Sequence, residues 1–441
     1  MPDQHPSARP PADWIRAHST ELTGLDVEAP LDDLEPLREI VGDSRVVGLG
    51  ENAHFVEEFS RARQRVLRFL AERCGFTVLA FEFGFSEGFA LDRWVNGGAG
   101  DERETEGDDG LLAARKAAAE WGFADFMAWL RRYNRAGGHR LRLAGLDVPA
   151  AGGALRPALD PVTDYLREVG PDALPLLERA LEISDRFLEG EGTSSGAAAA
   201  PAWGRLEPAE QDELTATLAR LLLRLRAVEP LYVERGGQRA FDIARRRVEA
   251  ACHTDYMFQA MNALLSGRGS GADLAVREIY LAESVRWHLD RSAPGTRIVL
   301  AAHNNHIQKT TVDFGGPFTS LTMGGHLHHT LGGDYRAIAL THTADHVPEM
   351  YPDPASAVGF TLADARLEAP VPGSVEAALV DAGLGGRITL TGLGRSPRDA
   401  AGAPLLNRIR SQSATVSGPL PLAFDAVLSV PTVTRVASVP F

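Results

Sequence analysis

Residues Val46-Val47-Gly48-Leu49-Gly50-Glu51-Asn52-Ala53-His54 pass in one step from an apolar run to a cluster of polar side chains. A short valine-rich run reads as a strand buried on both faces, and the polar residues after it as the loop that leaves the strand. The next segment, Glu57–Arg73, sets Phe59, Val66, Leu67, Phe69 and Leu70 at helical spacing beside Arg and Glu, which predicts an amphipathic helix. Thr77–Phe81 then repeats the strand signature, giving a strand, helix, strand unit.

Working outward, Arg140–Ala144, Arg297–Ala302 and Arg336–Thr341 have the same apolar character. Leu111–Asn134, with Trp121, Phe126, Trp129 and Leu130, reads as one amphipathic helix leading into the third strand. This alternation predicts an α/β fold, a mostly parallel central sheet flanked by helices. From Pro157 to Leu265 the pattern changes to long helical stretches, Ala158–Phe187 and Glu207–Val228, with no good strand. The Gly/Ser/Ala-rich Gly190–Pro201 between them reads as an exposed or mobile loop.

The expected division is therefore 1–150 as the first part of an α/β catalytic domain, 151–270 as a helical insertion forming a deep cleft, and 271–441 as the second part. A helix over Leu274–Leu289 resumes the sheet pattern. Ala355–Phe441 is Pro/Gly-rich, and its brief apolar runs, Thr389–Leu393 and Ala426–Val430, read as edge strands or coil.

The 441 residues suffice for one large domain with an insertion or for two domains. With 44% hydrophobic and 24% charged residues the chain sits near the globular average. A formal charge of −14 argues against a nucleic-acid partner, whose phosphates call for a basic patch. Met1–Pro10 lacks the apolar run of a secretory signal, and no segment reaches transmembrane length. Cys74 and Cys252 are too few for a disulfide framework or a thiolate metal site. The expectation is a cytoplasmic protein with two buried thiols and no membrane partner.

The polar residues fall at strand ends. Val46–Leu49 runs into Glu51 and His54, Thr77–Phe81 ends on Glu82, Arg140–Ala144 leads to Asp147, and Ile298–Ala302 ends on His303-Asn304-Asn305-His306. In open α/β sheets ligands bind beyond the carboxyl ends of the strands, so three acids and three histidines would meet at one edge. Singly, each is as easily a helix cap or a salt-bridge partner; recurrence at four strand ends points to a site. Imidazole exchanges protons close to neutrality, so His54 can act as a general base. Glu51, three residues earlier, could hold the imidazole tautomer or the water. Glu82, costly to bury unpaired, has Arg63 as its expected partner.

Glu51, His54, Glu82, His303 and His306 are also competent zinc or manganese ligands, yet none lies in a zincin pattern. His326-Leu327-His328-His329, a second histidine cluster, reads as lining or structural. Ser86, Ser284 and Ser320 lack an evident paired triad, and there is no P-loop. Water activated by histidine is what remains.

Val47-Gly48-Leu49-Gly50-Glu51-Asn52-Ala53-His54, with Glu58, Arg63 and Phe81-Glu82, resembles the opening signature of the erythromycin esterase family, L-G-E-x-x-H. The resemblance continues through Trp129-Leu130-Arg131 and Asn134, Gly145-Leu146-Asp147, Arg277-Glu278, Ala282-Glu283-Ser284 and Trp287 to Ala302-His303-Asn304-Asn305-His306, similar to the family's A-H-N-x-H. Met323-Gly324, Tyr335 and Phe424-Asp425-Ala426 extend it over nearly the whole chain. Asn52-Ala53 departs from the commoner small-Ser/Thr pair, Phe55 stands where many relatives have Gly, and Glu278 where Asp is frequent.

The resemblance implies hydrolysis of a macrolactone ester of a small-molecule natural product, with no metal or other cofactor. It places the general base at His54 and further active-site positions at Glu51, Arg63, Glu82 and His303. Glu58, Asp147, His306 and His326 are expected to bind substrate. In the expected mechanism Glu51 or Glu82 positions the water, and His303 or Arg63 stabilises the oxyanion. A cleft rich in Glu and Asp would suit a cationic amino sugar. The alternatives are a metallohydrolase, or a biosynthetic cyclase, transferase or lyase that excludes water.

Overall fold

A computed structural model of the chain describes residues 11–97, 109–188, 195–313 and 319–441. Its centre is an eight-stranded sheet of β1 (Ser19–Glu21), β2 (Val46–Leu49), β3 (Val78–Gly84), β4 (Arg142–Asp147), β5 (Ile298–Ala301), β6 (Tyr335–His342), β7 (Thr389–Gly392) and β8 (Ala426–Val430). The spatial order is β1-β7-β8-β6-β2-β5-β3-β4. The six strands from β8 to β4 are parallel, and β7 and β1 add antiparallel pairs at one edge.

The five apolar runs are therefore strands, and β2 sits in the middle between β5 and β6. Every residue of β2, β5 and β8 is buried, as a sheet covered on both faces requires. β8 departs from the expectation of an edge strand or coil: it is an interior, parallel strand next to β6.

Helix Glu57–Cys74 returns the chain from β2 to β3 and ends on Gly75 in the left-handed region. The single helix expected over Leu111–Asn134 is two, Asp109–Glu120 and Ala124–Ala136. Gly122, at φ 77, breaks it, a conformation that glycine adopts without a Cβ penalty.

Between β4 and β5 the helices Arg156–Val169, Leu174–Asp185, Pro208–Ala227 and Gln238–Leu265 pack on one another. They enclose their own apolar core, which includes Leu159, Leu177, Leu218, Phe241 and Phe258. Gly190–Pro201 is not the exposed loop expected. Residues 190–194 lie outside the described residues, but Gly196–Trp203 is a helix, capped by Ser195, with Ala199 and Ala200 buried in it. Helix Ala275–Asp290 then leads to β5.

Cys74 and Cys252 are both free and only partly buried, so the expectation of two buried thiols fails. Among the described residues no helix is long and apolar enough to cross a membrane.

Asn304, just past β5, ties the strand ends together. Its side chain donates to Leu340 O at 2.8 Å and accepts from Leu340 N at 3.2 Å, both on β6. Gly50 makes room for it, since a Cβ there would stand 1.8 Å from Asn304 Oδ1. The loops carrying Glu51 and His303 are fixed to each other for that reason, and Asn304 N donates to Glu51 O at 2.7 Å.

Candidate active site

A cavity of about 2020 Å³ lies between the carboxyl ends of β2 to β5 and the helical layer. Glu51, His54, Arg63, Glu82, Asp147 and His306 are all in its wall. The turn after β2 brings His54 Nδ1 to 2.8 Å from Glu51 Oε1. Glu51 Oε2 in turn accepts from Arg63 Nη1 at 2.7 Å. Arg63 is buried, and its other two nitrogens donate to Gly50 O and Ala302 O. Backbone from two strand ends thus seats the arginine, the arginine seats the carboxylate, and the carboxylate orients the imidazole. With Glu51 ionised, Nδ1 carries the proton that bridges to it, which leaves the lone pair on Nε2 of a side chain that lines the cavity. No described residue bonds His54 Nε2, and the side chain is 27% exposed.

The pairing expected between Glu82 and Arg63 is not formed. Arg63 belongs to Glu51, and Glu82 Oε1 instead faces Arg277 Nη2 at 3.0 Å and His306 Nε2 at 3.1 Å. The reason is topological: β5 lies between β2 and β3, so the helix after β2 reaches the β2 and β5 ends, while helix Ala275–Asp290 covers β3 and β4. Arg277 also clamps Asp147 with Nε at 2.9 Å and Nη2 at 2.5 Å. His306 Nδ1 bonds Glu278 Oε1 at 2.6 Å, and Glu278 Oε2 accepts from Met323 N at 2.8 Å.

These groups make one charged cluster under low dielectric. Burial works against the charge on Glu82, but His306 and Arg277 outweigh it and hold the carboxyl well below its ordinary value. Burial likewise opposes charge on His306, yet Glu278 and Glu82 push it up to about 10. His306 is accordingly an imidazolium at neutral pH. Arg277 is half-buried; burial opposes its charge, but Asp147 and Glu82 outweigh that and hold it above its ordinary value.

His303 stands differently. Its Nδ1 accepts from Asn305 N at 3.1 Å and its Nε2 donates to Asn52 O at 3.0 Å. Burial, then the neighbouring His54 and His306, hold it well below its ordinary value, so it stays neutral. Its ring centroid is 5.0 Å from that of His54, a packing wall rather than a donor. Its backbone N–H donates to Glu82 Oε2 at 2.8 Å.

Two expected substrate contacts lie elsewhere. Glu58 accepts from Thr434 N at 2.7 Å and from the Thr434 and Thr432 hydroxyls, pinning the C-terminal segment outside the cavity wall. His326, on helix Met323–Leu331, is also outside that wall. Nor is the cleft predominantly acidic: its wall carries nine Asp or Glu and eight Lys or Arg side chains.

In the sequence Arg277 and Glu278 stand out only as positions that match the family. Gln412, whose Oε1 accepts from His54 N at 3.0 Å, was not singled out at all. Two adjacent charges on a helix with buried Tyr280, Leu281 and Ala282 beside them were the available signal for the first pair. Gln412 carries none.

The erythromycin esterase family model matches residues 71–433. The chain belongs to the erythromycin esterase family. It is 34% identical to an erythromycin esterase type II of Escherichia coli over 418 residues, covering 95% of this chain and 96% of the relative. An erythromycin esterase type I of Escherichia coli is 33% identical over 402 residues, covering 90% and 93%. A solved structure of a mutant of the erythromycin esterase EreC, in its open conformation, superposes with a TM-score of 0.85 at 30% identity, covering 96% of this chain and 99% of that one. Membership in this family makes the chain an ester-hydrolysing enzyme with an α/β fold.

Proposed function

We propose that this erythromycin esterase family member opens a macrolactone or a related ester of a small-molecule natural product by adding water that His54 activates, without a metal. The observation that carries the reading is the Arg63, Glu51, His54 relay, with links of 2.7 and 2.8 Å and an unbonded Nε2 on a side chain that lines the cavity. A base needs an orienting partner and an open lone pair, and this imidazole has both. As His54 takes the proton from water, Glu51 stabilises the imidazolium that forms.

The oxyanion role expected of His303 or Arg63 moves to another group. All three guanidinium nitrogens of Arg63 and both ring nitrogens of His303 are engaged in the protein. Both ring nitrogens of His306 are held as well, by Glu278 and Glu82. The role therefore falls to Arg277, which lines the cavity beside Glu82 and whose Nη1 bonds no carboxylate among the described residues; a fixed cation stabilises charge that develops on the carbonyl oxygen. Glu82 holds the two cations in place. Substrate contacts are assigned to Asp147 and His306; the segment 151–270 acts as an insertion that roofs them.

The donor chemistry favours a metal-free reaction. Among the described residues no three His, Cys, Asp or Glu are grouped to hold a metal ion. Both ring nitrogens of His306 already face carboxylates, and Glu82 and Asp147 already neutralise an arginine. The volume of the cavity, above the roughly 300–1,000 Å³ of ordinary ligand pockets, supports a large substrate.

The test is to incubate the protein with a panel of macrolactones and simple esters, with and without chelator. A mass gain of one water, unchanged by chelator, is expected. Rate loss on chelation, restored by metal, would establish the metallohydrolase instead, and a product without added water the cyclase or lyase.

A further inference from the structure

One corner of the cavity is built by elements that carry none of His54, Arg277 or His306. Ser86 and Glu87 come from the helix that follows β3, Ala150 and Ala151 from the turn after β4, and Arg247 from the long helix Gln238–Leu265. Arg247 Nε donates to the hydroxyl of buried Ser86 at 2.9 Å, and the guanidinium lies 5.6 Å from the centre of the Phe89 ring. Among the described residues it makes no ion pair. Of the buried arginines, Arg63, Arg65 and Arg246 each have a carboxylate, and Arg410 is met by the carbonyls of His342, Ala344 and Glu368. Burial pulls the Arg247 guanidinium down to about 10, against an opposite pull from Glu87 and then Tyr280, with Arg93 adding the smallest contribution, a repulsion.

Glu87 does not close this charge. Its Oε1 accepts from Ala150 N at 2.9 Å and its Oε2 is buried without a partner among the described residues. Burial pushes the carboxyl up to about 7. The turn that offers the Ala150 N–H is left-handed at Ala150, Ala151 and Gly152, with φ of 49, 50 and 80, so the carboxyl is held where it is by a specific backbone shape.

A half-buried guanidinium in the wall of a cavity, with both Nη groups unspent among the described residues, is short of an acceptor that those residues do not supply. Guanidinium only donates, so the missing group is an oxygen that accepts. The partly ionised Glu87 beside it disfavours an anion there and favours a neutral oxygen. We propose that Arg247, seated by Ser86, forms a second recognition subsite that binds a carbonyl or hydroxyl oxygen of a polyoxygenated macrolactone while the scissile ester lies at His54. The subsite rests on the proposed macrolactone reading and deepens it.

The test uses erythromycin as the probe on a His54→Ala background, with and without Arg247→Met, by calorimetry. Methionine keeps much of the volume and removes the donors. Losing a charge-assisted hydrogen bond weakens binding about ten- to a hundred-fold, so a Kd raised by that factor is expected. Ser86→Ala, which frees the Nε, is expected to weaken binding less and to leave the melting temperature unchanged. With His54 intact, Arg247→Met is expected to raise KM for erythromycin while leaving kcat, and KM for the short ester p-nitrophenyl acetate, within about two-fold. An unchanged Kd would overturn the subsite, as would an equal loss on both esters together with a lowered melting temperature, which marks a structural role. If the His54→Ala protein binds no macrolactone, the subsite falls. If wild-type protein binds erythromycin but releases no ring-opened acid, the hydrolytic reading falls and the Kd comparison still decides the subsite.

Discussion

Glu82, at the end of β3, and Arg277, 195 residues later in the chain, meet at 3.0 Å in the wall of the cavity. The same carboxylate oxygen serves His306 at 3.1 Å, so one buried acid holds two cations beside the reacting position. Glu82→Gln keeps the shape and removes the charge that both cations share. Arg277 retains Asp147 and His306 retains Glu278, so the stability loss should stay near the about 1.5–3 kcal/mol of a charged hydrogen bond. Turnover should fall about a hundred-fold or more, because the cations lose their placement. Melting curves and turnover on one preparation check this; a large melting shift with normal turnover would leave Glu82 structural.

His54→Ala should lower kcat about a hundred- to ten-thousand-fold, the usual contribution of a general base. Folding should be nearly untouched, because Glu51 keeps its pair with Arg63 and the imidazole is partly exposed. Turnover near wild type would remove His54 from the role.

Glu51→Gln tests the relay from its other side. It strands buried Arg63 without a counter-ion, and breaking a buried pair from one side costs about 3–5 kcal/mol. It also leaves the imidazolium formed during turnover unsupported. A chemical denaturation series should show the lost stability, and kcat should drop while KM changes little.

His306 links stability to pH. Its folded-state pKa, about 10, lies above the ordinary 6.5; the folded state therefore binds the proton more tightly than the unfolded chain. The stabilisation is complete below about pH 6.5 and is lost as pH rises through about 10, at about 1.4 kcal/mol per unit. Glu82, held below its ordinary 4.5, gives the opposite limb: its stabilisation is present above that value and is lost as pH falls. The melting temperature should thus decline between pH 7 and 10, and His306→Asn should flatten that decline. An equally steep alkaline limb in the variant would place its origin elsewhere.

Phe55 sits at φ 63, a left-handed conformation that costs a non-glycine residue about 1–2 kcal/mol. Its ring packs against Trp121 and Phe441 at centroid distances of 6.1 and 5.7 Å. Phe55→Gly relieves the strain and deletes a buried ring; aromatic truncation costs about 3–5 kcal/mol. A net destabilisation of about 2 kcal/mol is expected, measured by melting, with a wider cavity mouth at Trp121 and Phe360.

Five of the eight strands, β2 to β6, the parallel order of the first unit and the edge at which the polar residues gather were legible in the sequence. Periodicity and strand-end position are local properties, and Val46–Leu49 followed by Glu51 and His54 carries both. The nearest partner was legible for the same reason: Glu51 and His54 lie within one turn of chain. Only the tertiary structure decided which charges pair across the sheet. Insertion of β5 between β2 and β3 gives Arg63 to Glu51 and leaves Glu82 to Arg277 and His306. That order depends on contacts between segments hundreds of residues apart, which no window of sequence contains. The interior place of β8, the spent nitrogens of His303 and the uncompensated guanidinium of Arg247 were decided there too, because burial and the absence of a counter-ion belong to the packed chain and not to any residue within it.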